Sequence, residues 1–247
     1  MVRAMRVAAL VLAAGRGERI GAAEPKAFVA LAGRPLVVHA IEALAACDAI
    51  DAIVPVLPGE RLVDAAGWSL DAAARRKLRA PVAGGAERQD SMRAGLASLP
   101  ADAALVAVHD AARALVRPAD VARVVAAAAR GGAALLAVPV RDTLKQVRSD
   151  AARGGDRAAA PHVVRTVPRD GLWAAQTPQV FRVALLREAL EKAEADGFRG
   201  TDDAQLVERL GAPVEIVEGD AGNLKITWPA DLAWAEAALA LRGRTRA

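Results

Sequence analysis

Short apolar, β-branched runs alternate along this chain with longer alanine-rich segments of helical period, and this rhythm restricts the fold more than any other feature. Strands that take turns with helices close most readily as a mostly parallel sheet with helices on both faces. Strands are expected at 7–13, 52–56, 80–82, 104–109, 134–138 and 214–217. Helices are expected at 88–98, 118–130, 183–195, 203–210 and 229–241, and from Pro35, at a first helical position, through Cys47. The expected fold is therefore α/β and Rossmann-like, with residues 1–247 forming a single domain.

The rhythm breaks once, over 141–169, where β-like flanks at 143–147 and 163–167 enclose a Gly154-Gly155 turn without core-forming period. This segment reads as a projecting β-arm. A lone hairpin is marginal in water, so the arm should pack on something, most economically a second copy of the chain. A homodimer through the arm is the expectation.

Composition excludes several classes. No apolar run approaches the roughly 20 residues of a membrane helix, so no membrane partner is expected. The basic start followed by an apolar stretch resembles a leader, but that stretch runs into Gly15-Arg16-Gly17-Glu18-Arg19, where charges argue for a first strand and a cytoplasmic protein. Cys47 is the one cysteine and reads as core, while His39, His109 and His162 have no metal spacing and His109 reads as structural. A net charge of +4 with 3% aromatics suits a small anionic substrate and no nucleic acid. With 247 residues, a fused second enzyme is not expected.

After the first strand comes Ala13-Ala14-Gly15-Arg16-Gly17-Glu18-Arg19-Ile20-Gly21, then Glu24-Pro25-Lys26. Glycines here free backbone N–H groups to face an anion, and Arg19 and Lys26 add full charges. The dinucleotide fingerprint fails because Ile20 stands where its third glycine belongs, and no G-K-[ST] follows for a P-loop. Taken alone, the segment also fits an ordinary strand-to-helix turn with solvated charges.

Together with Pro25-Lys26, the segment from Leu12 to Arg19 resembles the signature of sugar nucleotidyltransferases. Further stretches resemble one family among them, the 2-C-methyl-D-erythritol 4-phosphate cytidylyltransferases of the non-mevalonate isoprenoid pathway. They are Gly84-Gly85-Ala86-Glu87-Arg88-Gln89-Asp90-Ser91, Val108-His109-Asp110-Ala111-Ala112-Arg113, Pro139-Val140-Arg141-Asp142-Thr143-Leu144-Lys145, Gln176-Thr177-Pro178-Gln179-Val180-Phe181, Thr201-Asp202-Asp203 and Asn223-Leu224-Lys225-Ile226-Thr227.

The resemblance implies CMP transfer from CTP to the polyol phosphate, with Mg²⁺ held mainly by substrate phosphates and Asp110 as the one possible protein ligand. It implies Lys26, Lys225 and Arg19 as catalytic cations. CTP would be bound by Ala13, Ala14, Gly15, Gly17, Arg19, Lys26, Gly85, Ala86, Ser91 and Asp110. The acceptor would be bound by Asp110, Ala111, Arg113, Thr143, Arg169, Thr177, Thr201 and Lys225, with Thr143 and Arg169 reaching across to the neighbour's substrate. The chain departs from the family's pattern at Ala27, Ala86 and Ala114. Two alternatives stand beside this reading: a cytidylyltransferase for another polyol phosphate such as ribitol 5-phosphate, and a non-catalytic nucleotide-binding protein on the same fold.

Overall fold

A computed structural model describes residues 5–15, 24–148 and 161–244. The first strand, β1 (Arg6–Leu12), shows why the sheet takes two covering layers. Its side chains alternate between faces, and both sets are buried: Val7, Ala9 and Val11 enter one core cluster, Ala8 and Leu10 the other.

The main sheet has seven strands. In chain order these are β1, β4 (Ala52–Leu57), β5 (Val82–Ala83), β6 (Ala103–Asp110), β7 (Ala133–Pro139), β10 (Trp173–Arg182) and β11 (Glu215–Glu218). Across the sheet they run β11-β7-β10-β6-β1-β4-β5. Every neighbouring pair is parallel except those made by β10, which runs antiparallel between β6 and β7.

Helices α1 (Leu36–Ala45), α2 (Ala72–Lys77) and α4 (Pro118–Gly131) cover one face, and α3 (Arg88–Ala97), α5 (Val183–Ala195) and α6 (Asp203–Glu208) cover the other. The last helix, α7 (Pro229–Arg244), packs Ala235 on Leu31, Leu36 and Leu115 beside the sheet. Local chemistry marks the ends: Pro118 opens α4, and Gly132 closes it at φ 94°, a left-handed conformation suited to glycine.

The structure corrects the expected elements in four places. Pro35 does not open a helix; it pairs with Ala30 in a small hairpin of β2 (Ala30–Leu31) and β3 (Arg34–Pro35), and α1 begins one residue later. The 80–82 strand is only Val82–Ala83, because β5 is an edge that pairs with β4 at two positions. The 203–210 helix ends at Glu208, ahead of Gly211 at φ 76°. Finally, β10 is a strand that sequence periodicity did not indicate. The arm consists of β8 (Leu144–Arg148) and β9 (His162–Val167), paired antiparallel, with β8 and most of β9 exposed. Its turn, including 151–160, lies outside the described residues.

Strand β10 is tied to β6 by side chains as well as by its ladder. His109 is fully buried, and its Nε2 lies 3.2 Å from the carbonyl of Arg113. A carbonyl only accepts, so Nε2 carries the proton. The bare Nδ1 then accepts from the Thr177 hydroxyl at 3.0 Å, and Thr177 Oγ1 in turn accepts from the backbone N–H of Asp110 at 3.0 Å. Burial disfavours the charged imidazolium and holds the His109 pKa down at about 4.

Between pH about 6.5 and about 4 the unfolded chain therefore binds a proton at this histidine that the folded chain refuses. The stability due to neutral His109 is complete above about 6.5 and erodes as pH falls to about 4, by about 3 kcal/mol in all. Denaturant unfolding of the native chain and of His109→Gln across pH 7 to 4 is expected to show this component of the pH dependence in the native chain and its absence in the variant.

Candidate active site

Parallel strands deliver their carboxyl ends to one edge of the sheet, and successive connections diverge from β1: to β4 and β5 on one side, to β6 on the other. Open α/β sheets bind ligands where strand order reverses in this way. Leu12 at the end of β1 is in register with Asp110 at the end of β6. Residues 13–15 leave β1, Pro58 and Gly59 leave β4, 84–86 leave β5, and 110–112 leave β6; together with Lys26 and Lys225 they line a cleft of about 700 Å³.

Backbone contacts set the shape of that cleft. Gly84 N–H bonds to the Leu57 carbonyl, Ala13 N–H to that of Val56, and Ala111 N–H to that of Leu12, at 2.8, 2.8 and 3.0 Å. A Cβ on Gly84 would stand 2.4 Å from Ala14 Cβ and 2.7 Å from Ser91 Oγ, and one on Gly85 would stand 2.4 Å from Asp90 Cβ. Glycine is therefore required by close approach at both positions. Ser91 is buried; its hydroxyl accepts the Gly85 N–H at 3.2 Å and donates to the Glu87 carbonyl at 3.1 Å, fixing the turn from inside.

Charge is concentrated at the cleft floor. Lys225 Nζ lies 2.8 Å from Asp110 Oδ2, and the bond from Ile226 N–H to the Ala112 carbonyl, at 2.9 Å, brings this late segment back to the end of β6. Arg88, the first residue of α3, reaches Asp110 Oδ1 at 3.3–3.4 Å and forks onto both oxygens of Asp203, at 2.6 and 2.8 Å. Burial by itself would raise the Asp110 pKa, but Arg88 and Lys225 outweigh it and hold the carboxylate ionised, below the usual range. Asp203, with its side chain 2% exposed, is shifted upward by burial, which Arg88 partly offsets. Arg113 is spent on the carbonyls of Asn223 and Ala175, at 2.8 and 3.1 Å.

Among the described residues no three His, Cys, Asp or Glu side chains gather into a metal cage. Asp110 lines the cleft, and its Oδ2, which carries the Lys225 bond, has a second lone pair to offer. One ionised carboxylate suits a hard cation whose other ligands are phosphate oxygens and water, so a Mg²⁺ ion fits these residues.

The model of the 2-C-methyl-D-erythritol 4-phosphate cytidylyltransferase family matches residues 7–241. The chain belongs to this family. It is 46% identical to the 2-C-methyl-D-erythritol 4-phosphate cytidylyltransferase of Pelotomaculum thermopropionicum over 244 residues, covering 96% of this chain and 95% of that one. It is 46% identical to the enzyme of the same name from Chromobacterium violaceum over 239 residues, covering 95% and 98%. The crystal structure of the Thermus thermophilus enzyme superposes with a TM-score of 0.72 at 38% identity, covering 95% of this chain and 98% of that one.

Of the residues that resemblance to this family nominated, the cleft brings together Ala13, Ala14, Gly15, Lys26, Gly85, Ala86, Ser91, Asp110, Ala111 and Lys225. Gly17 and Arg19 lie outside the described residues. Thr177 is buried behind the cleft, where its hydroxyl links His109 to the Asp110 backbone. Thr201 is exposed, and both its backbone N–H and its hydroxyl donate to Gln205 Oε1. Thr143 and Arg169 sit exposed at the foot of the arm, where Arg169 bonds the Arg141 carbonyl, and neither lines this chain's cleft. Of the departures from the family pattern, Ala27 and Ala86 line the cleft and Ala114 packs beneath α7.

Sequence reasoning gave no role to Arg88 or Asp203. The available signal was electrostatic: Arg88 is a cation in the first turn of a helix, where the macrodipole disfavours positive charge and an acidic partner is needed. Gly84→Ala, which drives a methyl into Ala14, is expected to weaken CTP binding at least tenfold while the circular dichroism spectrum is retained; calorimetric titration checks this.

Proposed function

We propose that this chain transfers CMP from CTP to 2-C-methyl-D-erythritol 4-phosphate, giving 4-diphosphocytidyl-2-C-methyl-D-erythritol and pyrophosphate. The observation that carries this reading is the single cleft in which the Gly84-Gly85 turn, Lys26, Asp110 and Lys225 converge, in a chain of the cytidylyltransferase family.

A flat base slots against the glycine turn, whose backbone is held close to Ala14, Ser91 and Asp90, and backbone groups of 84–86 read its edge. The triphosphate extends along 13–15 towards Lys26. The acceptor's phosphate oxygen attacks the α-phosphorus in line and pyrophosphate leaves from the opposite side. A phosphate monoester at neutral pH is already mostly ionised, so the nucleophile needs no strong base. The neutral, buried His109 is accordingly not called on as one.

The obstacle is repulsion between anions together with the charge that builds at five-coordinate phosphorus. Fixed cations offset both, and we assign this to Lys26 and Lys225, with Arg19 on the leaving phosphates. Lys225, with its side chain 44% exposed, is placed to exchange its Asp110 contact for a phosphate oxygen. Asp110 would be the protein's contribution to holding Mg²⁺, which would neutralise part of the phosphates' charge.

We further propose a homodimer through the arm. Val147, Val163 and Val164 are 47%, 61% and 51% exposed there, apolar surface that a second copy would cover. In that arrangement Thr143 and Arg169 serve the acceptor pocket of the neighbour. No helix among the described residues is long and apolar enough to cross a membrane. The apolar stretch near the N-terminus is a central strand, buried at Val7–Val11, and this supports action in the cytoplasm.

Lys26→Ala is expected to keep its fold by circular dichroism and to lower pyrophosphate release by roughly a hundredfold or more; near-normal turnover removes Lys26 from the chemistry. Arg169→Ala is expected to raise the Michaelis constant for the acceptor several-fold, with an unchanged dimer by sedimentation. An unchanged constant places Arg169 outside the site.

A further inference from the structure

We infer that Asp203 and Arg88 form a part-buried strut that positions Lys225 through Asp110. The inference rests on the proposed reading in one respect, namely that Lys225 serves the phosphoryl chemistry.

Arg88 occupies the first turn of α3, the positive end of a helix dipole, and its guanidinium is shared between two carboxylates. The sharing is unequal. Nη1 and Nη2 make a bidentate pair with Asp203 at 2.6 and 2.8 Å, the stronger geometry, and leave contacts of 3.3–3.4 Å to Asp110. Asp110 therefore keeps Oδ2 for Lys225 at 2.8 Å.

Asp203 is itself fixed. Its backbone N–H and that of Ala204 bond to Gln179 Oε1 at 3.1 and 2.9 Å, and Gln179 Nε2 donates to Asp202 Oδ2 at 2.8 Å. Gln179 belongs to β10, so the strut is rooted in the sheet beside the strand that carries Asp110. An ion pair at a part-buried position adds little net stability. The four charged groups in a row, Asp203, Arg88, Asp110 and Lys225, make sense instead as a means of direction. Without the Asp203 charge, the fork of Arg88 is free to close on both Asp110 oxygens and displace Lys225 from the cleft floor.

Asp203 and Lys225 make no direct contact, so their effects on turnover are linked only through the intervening pair. Pyrophosphate release is measured for the native chain, Asp203→Asn, Lys225→Ala and the double variant. Asp203→Asn is expected to lower kcat roughly tenfold with the CTP Michaelis constant within about twofold, and to lower kcat clearly less than that when Lys225 is already alanine. Effects that multiply independently, or an unchanged kcat, overturn the strut. If Asp203→Asn does not fold, Arg88→Lys, which keeps the charge but loses the fork, replaces it in the same cycle with the same expected non-additivity.

A crystal structure of Asp203→Asn decides the matter without reference to turnover. Arg88 closed on Asp110 with Lys225 withdrawn supports the strut, whereas Lys225 still seated on Asp110 overturns it. A native chain that releases no pyrophosphate defeats the functional reading while this structural result still stands for or against the strut.

Discussion

A carboxylate kept ionised at the end of a buried strand is the constraint around which this molecule is arranged. Desolvation works against the charge on Asp110, and two cations from distant parts of the chain, Arg88 at the start of α3 and Lys225 beyond β11, hold it in place. Each of those cations needs its own support: Asp203 and Gln179 for Arg88, and the backbone bond between Ile226 and Ala112 for Lys225. The Asp110 backbone is fixed in turn by Thr177, whose hydroxyl is oriented by a neutral histidine. The antiparallel strand β10 thus carries three supports for one aspartate: a ladder with β6, Thr177 and Gln179.

The other half of the site depends on the absence of side chains. Gly84 touches Ala14 so closely that the turn after β5 and the loop after β1 form one continuous surface. Small residues line both sides of this surface, and the charged groups Lys26, Asp110 and Lys225 line the same cleft.

Much of the fold is legible in the sequence because β1, β4, β6 and β7 are buried on both faces and so read as continuous apolar runs. Strand β10 is not legible in that way. It contains Gln176, Thr177, Pro178 and Gln179, which read as a loop, and its polar side chains are buried only because tertiary partners satisfy them. The site was legible where local motifs form it, as in 84–91 and 108–113, and where family resemblance assigned Lys225. The pairing of Arg88 with Asp203 spans 115 positions, and no local pattern announces it. Only the helix-start position of an arginine pointed to a missing partner.

In the proposed reading, one cleft holds a cytidine triphosphate by the backbone of the Gly84-Gly85 turn and by fixed cations at the phosphates. The most direct measurement is a calorimetric titration of the intact protein with CTP in the presence of magnesium, repeated at raised ionic strength. Saturable binding at one site per chain, preferring CTP over ATP and weakening as salt is added, is the expected result. A protein that is folded by circular dichroism and yet takes up no CTP under these conditions would contradict the account.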